Sequence, residues 1–153
     1  MRRGWPLALA GMRVGLFGGT FNPAHAGHAH VAAEALKRLH LHQVWWLVTP
    51  QNPLKPQARP LQLRMASAAA MTQGSRHIVT AIETDLGTRF TADTLKALRR
   101  HYPGVRFFWI TGADALRTLE RWRRWEDILQ TTPMLVVSRP GCGARDRFCK
   151  PLL

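Results

Sequence analysis

The short apolar run Arg13 to Phe17 ends on the pair Gly18-Gly19, and a helical apolar period begins at Gly27. Glycine permits backbone conformations and close approaches that a Cβ blocks, so this succession reads as strand, tight turn, helix. Between Gly27 and Leu39 the residues Val31, Ala32, Ala35, Leu36 and Leu39 recur at helical spacing, with Glu34, Lys37 and Arg38 elsewhere around the axis. A strand that feeds a helix through glycines is the opening unit of a parallel sheet with crossover helices.

The rest of the chain repeats the alternation. Gln43 to Thr49 is a continuous apolar run in which the adjacent Trp45 and Trp46 must point to opposite faces of a strand. Both faces are therefore expected to be covered by helices, as in parallel sheets. Pro50, Pro53, Pro56 and Pro60 exclude helix and central strand, which makes Pro50 to Pro60 a loop. Leu61 to Met71 reads as a helix, His77 to Thr80 as a third strand, Thr91 to His101 as a helix with Asp93 in its first turn, and Val105 to Thr111 as a fourth strand. Helices are expected over Ala113 to Leu119 and Trp122 to Leu129, then a fifth strand over Met134 to Ser138, broken by Arg139-Pro140-Gly141. The fold class is thus α/β: one domain whose parallel sheet of about five strands is flanked by helices. In such sheets ligands bind beyond the carboxyl ends of the strands, so polar residues that follow strands carry the functional reading. Those are Gly18 to His28, Asn52 to Lys55, Gly112 to Asp114 and Arg139.

At 153 residues with 46% hydrophobic side chains, the chain can bury a core without staples. Its two cysteines, Cys142 and Cys149, lack the spacing of a zinc site and read as free thiols of a reducing, cytoplasmic compartment. Met1-Arg2-Arg3 with Trp5 to Ala10 is like the start of a signal peptide, but the apolar run is too short. No run approaches the roughly 20 apolar residues of a membrane span, so no membrane partner is expected. Residues 1–11 read as a leader of uncertain status, 12–141 as the domain and 142–153 as an irregular tail. The formal charge of +13 favours polyanions in general, unless arginine simply decorates the surface. Because the basic residues scatter instead of forming an aromatic-laced stripe, nucleotides fit better than nucleic acids.

Gly18-Gly19-Thr20 before a helix offers backbone N–H donors and the positive end of a helix dipole to a phosphate, although a bare glycine pair also serves as a plain turn. His25 and His28 lie three apart, the spacing that sets both imidazoles on one side of a first helical turn, with Gly27 leaving the backbone approachable. Alone, such a pair could be a surface accident or half a metal site. Next to the glycines it suits a polyphosphate.

Gly18-Gly19-Thr20-Phe21-Asn22-Pro23 followed by His25-Ala26-Gly27-His28 resembles the GGTFDPxHxGH signature of the nucleotidylyltransferase superfamily. Further matches are similar to nicotinate-mononucleotide adenylyltransferases: Trp46 to Pro50, Asn52 to Pro56, Phe90 to Leu95, Thr111 to Asp114, Trp122 with Trp125, and Ser138 to Gly141. The resemblance spans residues 12 to 141 and implies a Rossmann-like nucleotidylyltransferase domain. It implies adenylyl transfer from ATP, accompanied by Mg²⁺, to nicotinate mononucleotide. His25 and His28 would act on the phosphates, with His28 foremost; Gly18, Gly19, Thr20, Phe21, Asn22, Lys55, Gly112 and Asp114 would line the ATP side. Thr91, Trp122, Arg123 and Arg139 would hold the nicotinate nucleotide, and no protein side chain would bind the metal directly. Asn22 replaces the usual Asp, and Leu54 a residue that is often His. Trp125, at helical spacing from Trp122, reads as core rather than as site.

The family's further motif, Ser-Ser-Thr-x-x-Arg at a helix start, is absent after Gly141, so a C-terminally shortened domain is expected. Three alternatives stay open beside the active enzyme: a nucleotide-binding remnant of low turnover, a related adenylyltransferase with another acceptor, and a nucleic-acid-binding module. Homo-oligomerisation is left open as well.

Overall fold

The structure, a computed structural model, describes residues 4–50, 58–72 and 74–138. Five strands, β1 (Arg13–Gly19), β2 (Gln43–Val48), β3 (His77–Thr80), β4 (Arg106–Gly112) and β5 (Met134–Val137), form one sheet in the order β3-β2-β1-β4-β5. Every pairing is parallel, with Phe17 of β1 opposite both Trp46 of β2 and Ile110 of β4. The helices are α1 (Ala26–Arg38), α2 (Leu61–Met71), α3 (Ile82–Leu86), α4 (Thr91–His101), α5 (Ala113–Leu116) and α6 (Trp125–Thr131), with a 3-10 turn at Leu119–Arg121. The α/β alternation is as the sequence implies, and the bounds of α2, β3 and α4 agree with those read from it.

Chain order reverses beside β1: β2 and β3 extend the sheet one way, β4 and β5 the other. Parallel sheets bind ligands at this switch, beyond the carboxyl ends of the two central strands. Trp45 and Trp46 point to opposite faces, and each is fully buried. Trp46 packs in a cluster with Phe17, Val31, Ala32, Ala35 and Ile110; Trp45 packs in a second cluster with Leu16, Leu95, Leu98, Phe107 and Trp109. Both faces of β2 are therefore covered, the physical reason its sequence runs apolar without alternation.

The structure corrects the expected elements in three places. Ile82 to Leu86, given no element by the sequence reading, forms a short helix closed by Gly87 in the left-handed region. Ala113 to Leu119 is helical only to Leu116, and the helix expected from Trp122 starts at Trp125 because Arg124 adopts a left-handed backbone (φ 50°). Trp125 is half-buried and outside both core clusters, contrary to its reading as core; α6 buries Ile128 instead.

Ahead of β1, Trp5 and Ala8 are buried in the second cluster. The Trp5 indole donates to Asp85 Oδ2 at 3.0 Å, and Tyr102 Oη donates to the Pro6 carbonyl at 2.7 Å. No helix among the described residues is long and apolar enough to cross a membrane. Cys142, Cys149 and the tail lie outside the described residues.

Candidate active site at the β1–β4 switch

β1 ends in Gly18-Gly19, and the chain turns through Phe21 (φ 51°) and Pro23 into the N-terminus of α1. The two histidines cap that helix. His25 Nδ1 accepts from the Gly27 N–H at 3.1 Å, while His28 Nδ1 accepts from the His25 N–H at 3.1 Å, a reciprocal capping box built from imidazoles. A ring nitrogen that accepts carries no proton, so the neutral rings hold their hydrogens on Nε2. The rings lie against each other with centroids 3.9 Å apart and planes tilted by 33°, and His28 stands edge-on to Phe21 at 5.0 Å. Two Nε2–H donors are thereby fixed at the positive end of a 13-residue helix.

Across the switch, Thr111 and Gly112 end β4, and Gly112 is the N-cap of α5. Phe17, Gly18, Gly19, His25, Gly27 and His28 line one side of a cleft of about 140 Å³, and Thr111, Gly112 and Ala115 the other. Asp114 lies in the first turn of α5, exposed.

The loop is held from below by α2. Arg64, 1% exposed, donates from Nη1 to the carbonyls of Thr20 (3.1 Å) and Thr49 (2.9 Å) and from Nε to that of Arg59 (2.8 Å). One turn on, Ser67 Oγ accepts from the Ala24 N–H at 3.0 Å and lies 3.3 Å from the Phe21 carbonyl. Burial lowers the Arg64 pKa from its ordinary value, yet a guanidinium stays charged at working pH, so a fixed cation backs the glycine turn. Asn22 Oδ1 accepts from the Arg59 N–H at 3.1 Å and so tethers the incoming segment before α2. The sequence marks these two α2 residues only weakly, as an arginine and a serine three apart on an alanine-rich helix.

The residues expected on the nicotinate side form a second group. Trp109 of β4 fills the space beside Gly18 and meets Trp122 edge to face, with centroids 6.2 Å apart at 85°. Next to Trp122, the Arg123 guanidinium lies 5.1 Å from the centre of the exposed Phe90 ring, and Arg124 pairs with Asp93. Phe90 is the N-cap of α4 and Thr91 its first residue. Trp122, Arg123 and the Phe90–Thr91 turn are thus neighbours, joined to the glycine loop through Trp109. Lys55 and Arg139 lie outside the described residues. Among the described residues, no group of three or more His, Cys, Asp or Glu side chains is placed to hold a metal ion.

A family model described as cytidylyltransferase-like matches residues 16–152. A relative in Roseobacter denitrificans, named "Probable nicotinate-nucleotide adenylyltransferase", is 58% identical over 142 residues, covering 92% of this chain and 71% of the relative. One of the same name in Cereibacter sphaeroides is 56% identical over 137 residues, covering 89% of this chain and 74% of its own length. Among solved structures, Plasmodium falciparum nicotinic acid mononucleotide adenylyltransferase complexed with NaAD superposes with a TM-score of 0.74 over 90% of this chain and 69% of that one, at 16% identity. At that identity the likeness concerns the fold. With the family model covering most of the chain and relatives above half identity over most of its length, the chain belongs to the cytidylyltransferase-like family and, within it, to the nicotinate-nucleotide adenylyltransferases.

Proposed function

We propose that this protein transfers the adenylyl group of ATP, bound with its Mg²⁺, to nicotinate mononucleotide, giving nicotinate adenine dinucleotide and pyrophosphate. The observation that carries the reading is the adjacent His25–His28 pair, whose Nδ1 atoms are committed to the helix cap beside Gly18-Gly19. A 5′-phosphate oxygen of the acceptor attacks the α-phosphorus in line, and the bond to the pyrophosphate oxygen breaks. The nucleophile is already anionic, so the protein has to supply position and charge rather than a base. The Nε2–H groups of His28 and His25 donate to phosphate oxygens as charge shifts toward pyrophosphate, and the Gly18 to Asn22 turn, backed by Arg64, holds the triphosphate. Gly112 and Asp114 face the ATP ribose, and Lys55 adds a positive charge over the phosphates. Mg²⁺ enters as part of the ATP substrate, on phosphate oxygens and water.

On the acceptor side, Trp122 offers an aromatic plane to the pyridine ring. Thr91, Arg123 and Arg139 supply donors and charge for its carboxylate and phosphate. The names of the close relatives support this assignment, as do the fold-level neighbours complexed with APC and NaAD. A cytoplasmic site of action goes with the proposed substrates.

The test is pyrophosphate release from ATP and Mg²⁺ with nicotinate mononucleotide, beside the nicotinamide form and a His28→Ala control. Turnover that prefers the acid and collapses in the control is the expected result. Binding of either nucleotide without turnover would overturn the enzymatic reading.

A further inference from the structure

Glu83 of α3 is 5% exposed, and it does not line the cleft between β1 and β4. Its Oε2 accepts from Thr94 Oγ1 at 2.8 Å, and Thr94 Oγ1 lies 2.8 Å from Thr88 Oγ1. Because the Thr94 proton goes to the carboxyl group, Thr94 must accept from the Thr88 hydroxyl, so the chain has one polarity, Thr88 to Thr94 to Glu83. The backbone closes the same unit: the Thr88 N–H donates to the Glu83 carbonyl at 3.1 Å and the Thr94 N–H to the Phe90 carbonyl at 3.0 Å. Within the turn Gly87 to Phe90, Thr88 is therefore tied to the buried carboxyl group through Thr94 and to the Glu83 main-chain carbonyl, and Phe90 is tied by its own carbonyl to Thr94 in the first turn of α4. On its outer side Phe90 meets Arg123, and Asp93, in the first turn of α4, meets Arg124.

We propose that Glu83, acting through Thr94 and Thr88, is a positioning residue that sets the acceptor-nucleotide wall, Phe90 and Thr91, against Trp122 and Arg123. The proposal deepens the acceptor reading under Proposed function and rests on it. A carboxyl group at this place is costly: burial pushes its pKa up to about 7, opposed only in part by the Thr94 hydrogen bond. Filling space would require no acceptor here, whereas ordering a turn through two hydroxyls does. The substrate-facing residues are then held in place before the ligand arrives, which spares binding the ordering entropy of the turn.

The experiment compares the full chain with Thr94→Val, Thr94→Ser, Thr88→Val and Glu83→Gln, measuring KM for nicotinate mononucleotide and for ATP separately. Thr94→Val, which deletes the central hydroxyl at constant shape, should raise the acceptor KM roughly tenfold while the ATP KM stays within about twofold. Thr94→Ser and Glu83→Gln keep a hydroxyl and an acceptor and should stay within roughly threefold of the parent. Thr88→Val cuts only the outer link and serves if Thr94→Val fails to fold. Equal changes in both KM values, or none, would overturn the proposal. If the parent protein shows no turnover with this acceptor, the functional reading falls by itself. Amide exchange then decides the positioning claim: faster exchange at Thr88 to Thr91 in the Val variant, with β1 unchanged, upholds it, and equal protection overturns it.

Discussion

The indole of Trp109 occupies the space in which a side chain at residue 18 would stand: a Cβ built on Gly18 lies 2.7 Å from Trp109 Cη2 and 3.0 Å from Cζ2. The first glycine of the turn is thus fixed by a neighbour from β4 as well as by the needs of a ligand. Gly18→Ala should lower stability by about 1–3 kcal/mol through overpacking. Trp109→Phe shortens the ring system and should recover part of that loss, so the double variant departs from additivity. Denaturant unfolding of the four proteins checks it; strict additivity would mean the contact is not the cause.

The capping box separates two duties of one ring. His28→Asn keeps an acceptor near the His25 N–H but has no Nε2–H reaching the phosphates. It should lose roughly a hundredfold or more in kcat while keeping most of the cap's stability. His28→Ala loses both, adding about 1 kcal/mol of destabilisation. Initial rates and thermal midpoints measured together resolve the two effects, and full activity in His28→Asn would remove the imidazole from the chemistry.

Arg64 satisfies three carbonyls from three segments around the cleft. Arg64→Met leaves them without that donor and should cost on the order of 3 kcal/mol. Arg64→Lys, a single ammonium without the fork, should recover only part of it. In the lysine variant the KM for ATP should rise more than that for the acceptor, since Thr20 is the carbonyl nearest the phosphate turn. Titration with each nucleotide tells these apart.

Glu83 makes stability pH-dependent in a definite direction. Its folded pKa of about 7 lies above the ordinary 4.5, so the folded state binds the extra proton. Stability is then lost as pH rises from about 4.5 to about 7, and the loss is constant above that window. Glu83→Gln, which cannot ionise, should therefore gain on the parent across that interval, by an amount on the order of 3 kcal/mol at most. Chemical denaturation of both proteins at pH 5 and pH 8 provides the comparison (roughly either end of the window); a difference that does not grow with pH would refute the assignment.

What the sequence makes legible follows from the range of the interaction involved. α2 and α4 are readable because Pro60 and Thr91 mark their starts and their apolar positions repeat over several turns. The five residues of α3 are too few to show a period, and its stop at Gly87 is visible only once the helix is known. The His25–His28 pair is legible because its geometry is local to one helical turn. Arg64 is not: its partners Thr20 and Thr49 are 44 and 15 residues away and are backbone atoms, which leave no mark in side-chain pattern. The Trp122 group was located by resemblance, while the left-handed Arg124 that delays α6 has no sequence signal.

The two faces of β2 are completed at different times as a chain grows from its N-terminus. Much of the layer over Trp46, comprising Val31, Ala32, Ala35 and Ala68, is in hand by the end of α2. Leu95, Leu98, Tyr102, Phe107, Trp109 and Ile128, which cover Trp45, come later. A ribosome-bound intermediate that stops at β3 would therefore expose a broad aromatic and aliphatic sheet surface to solvent. During translation at about 5–20 residues per second, that surface stays bare for some seconds, the interval in which a chaperone has most to contribute.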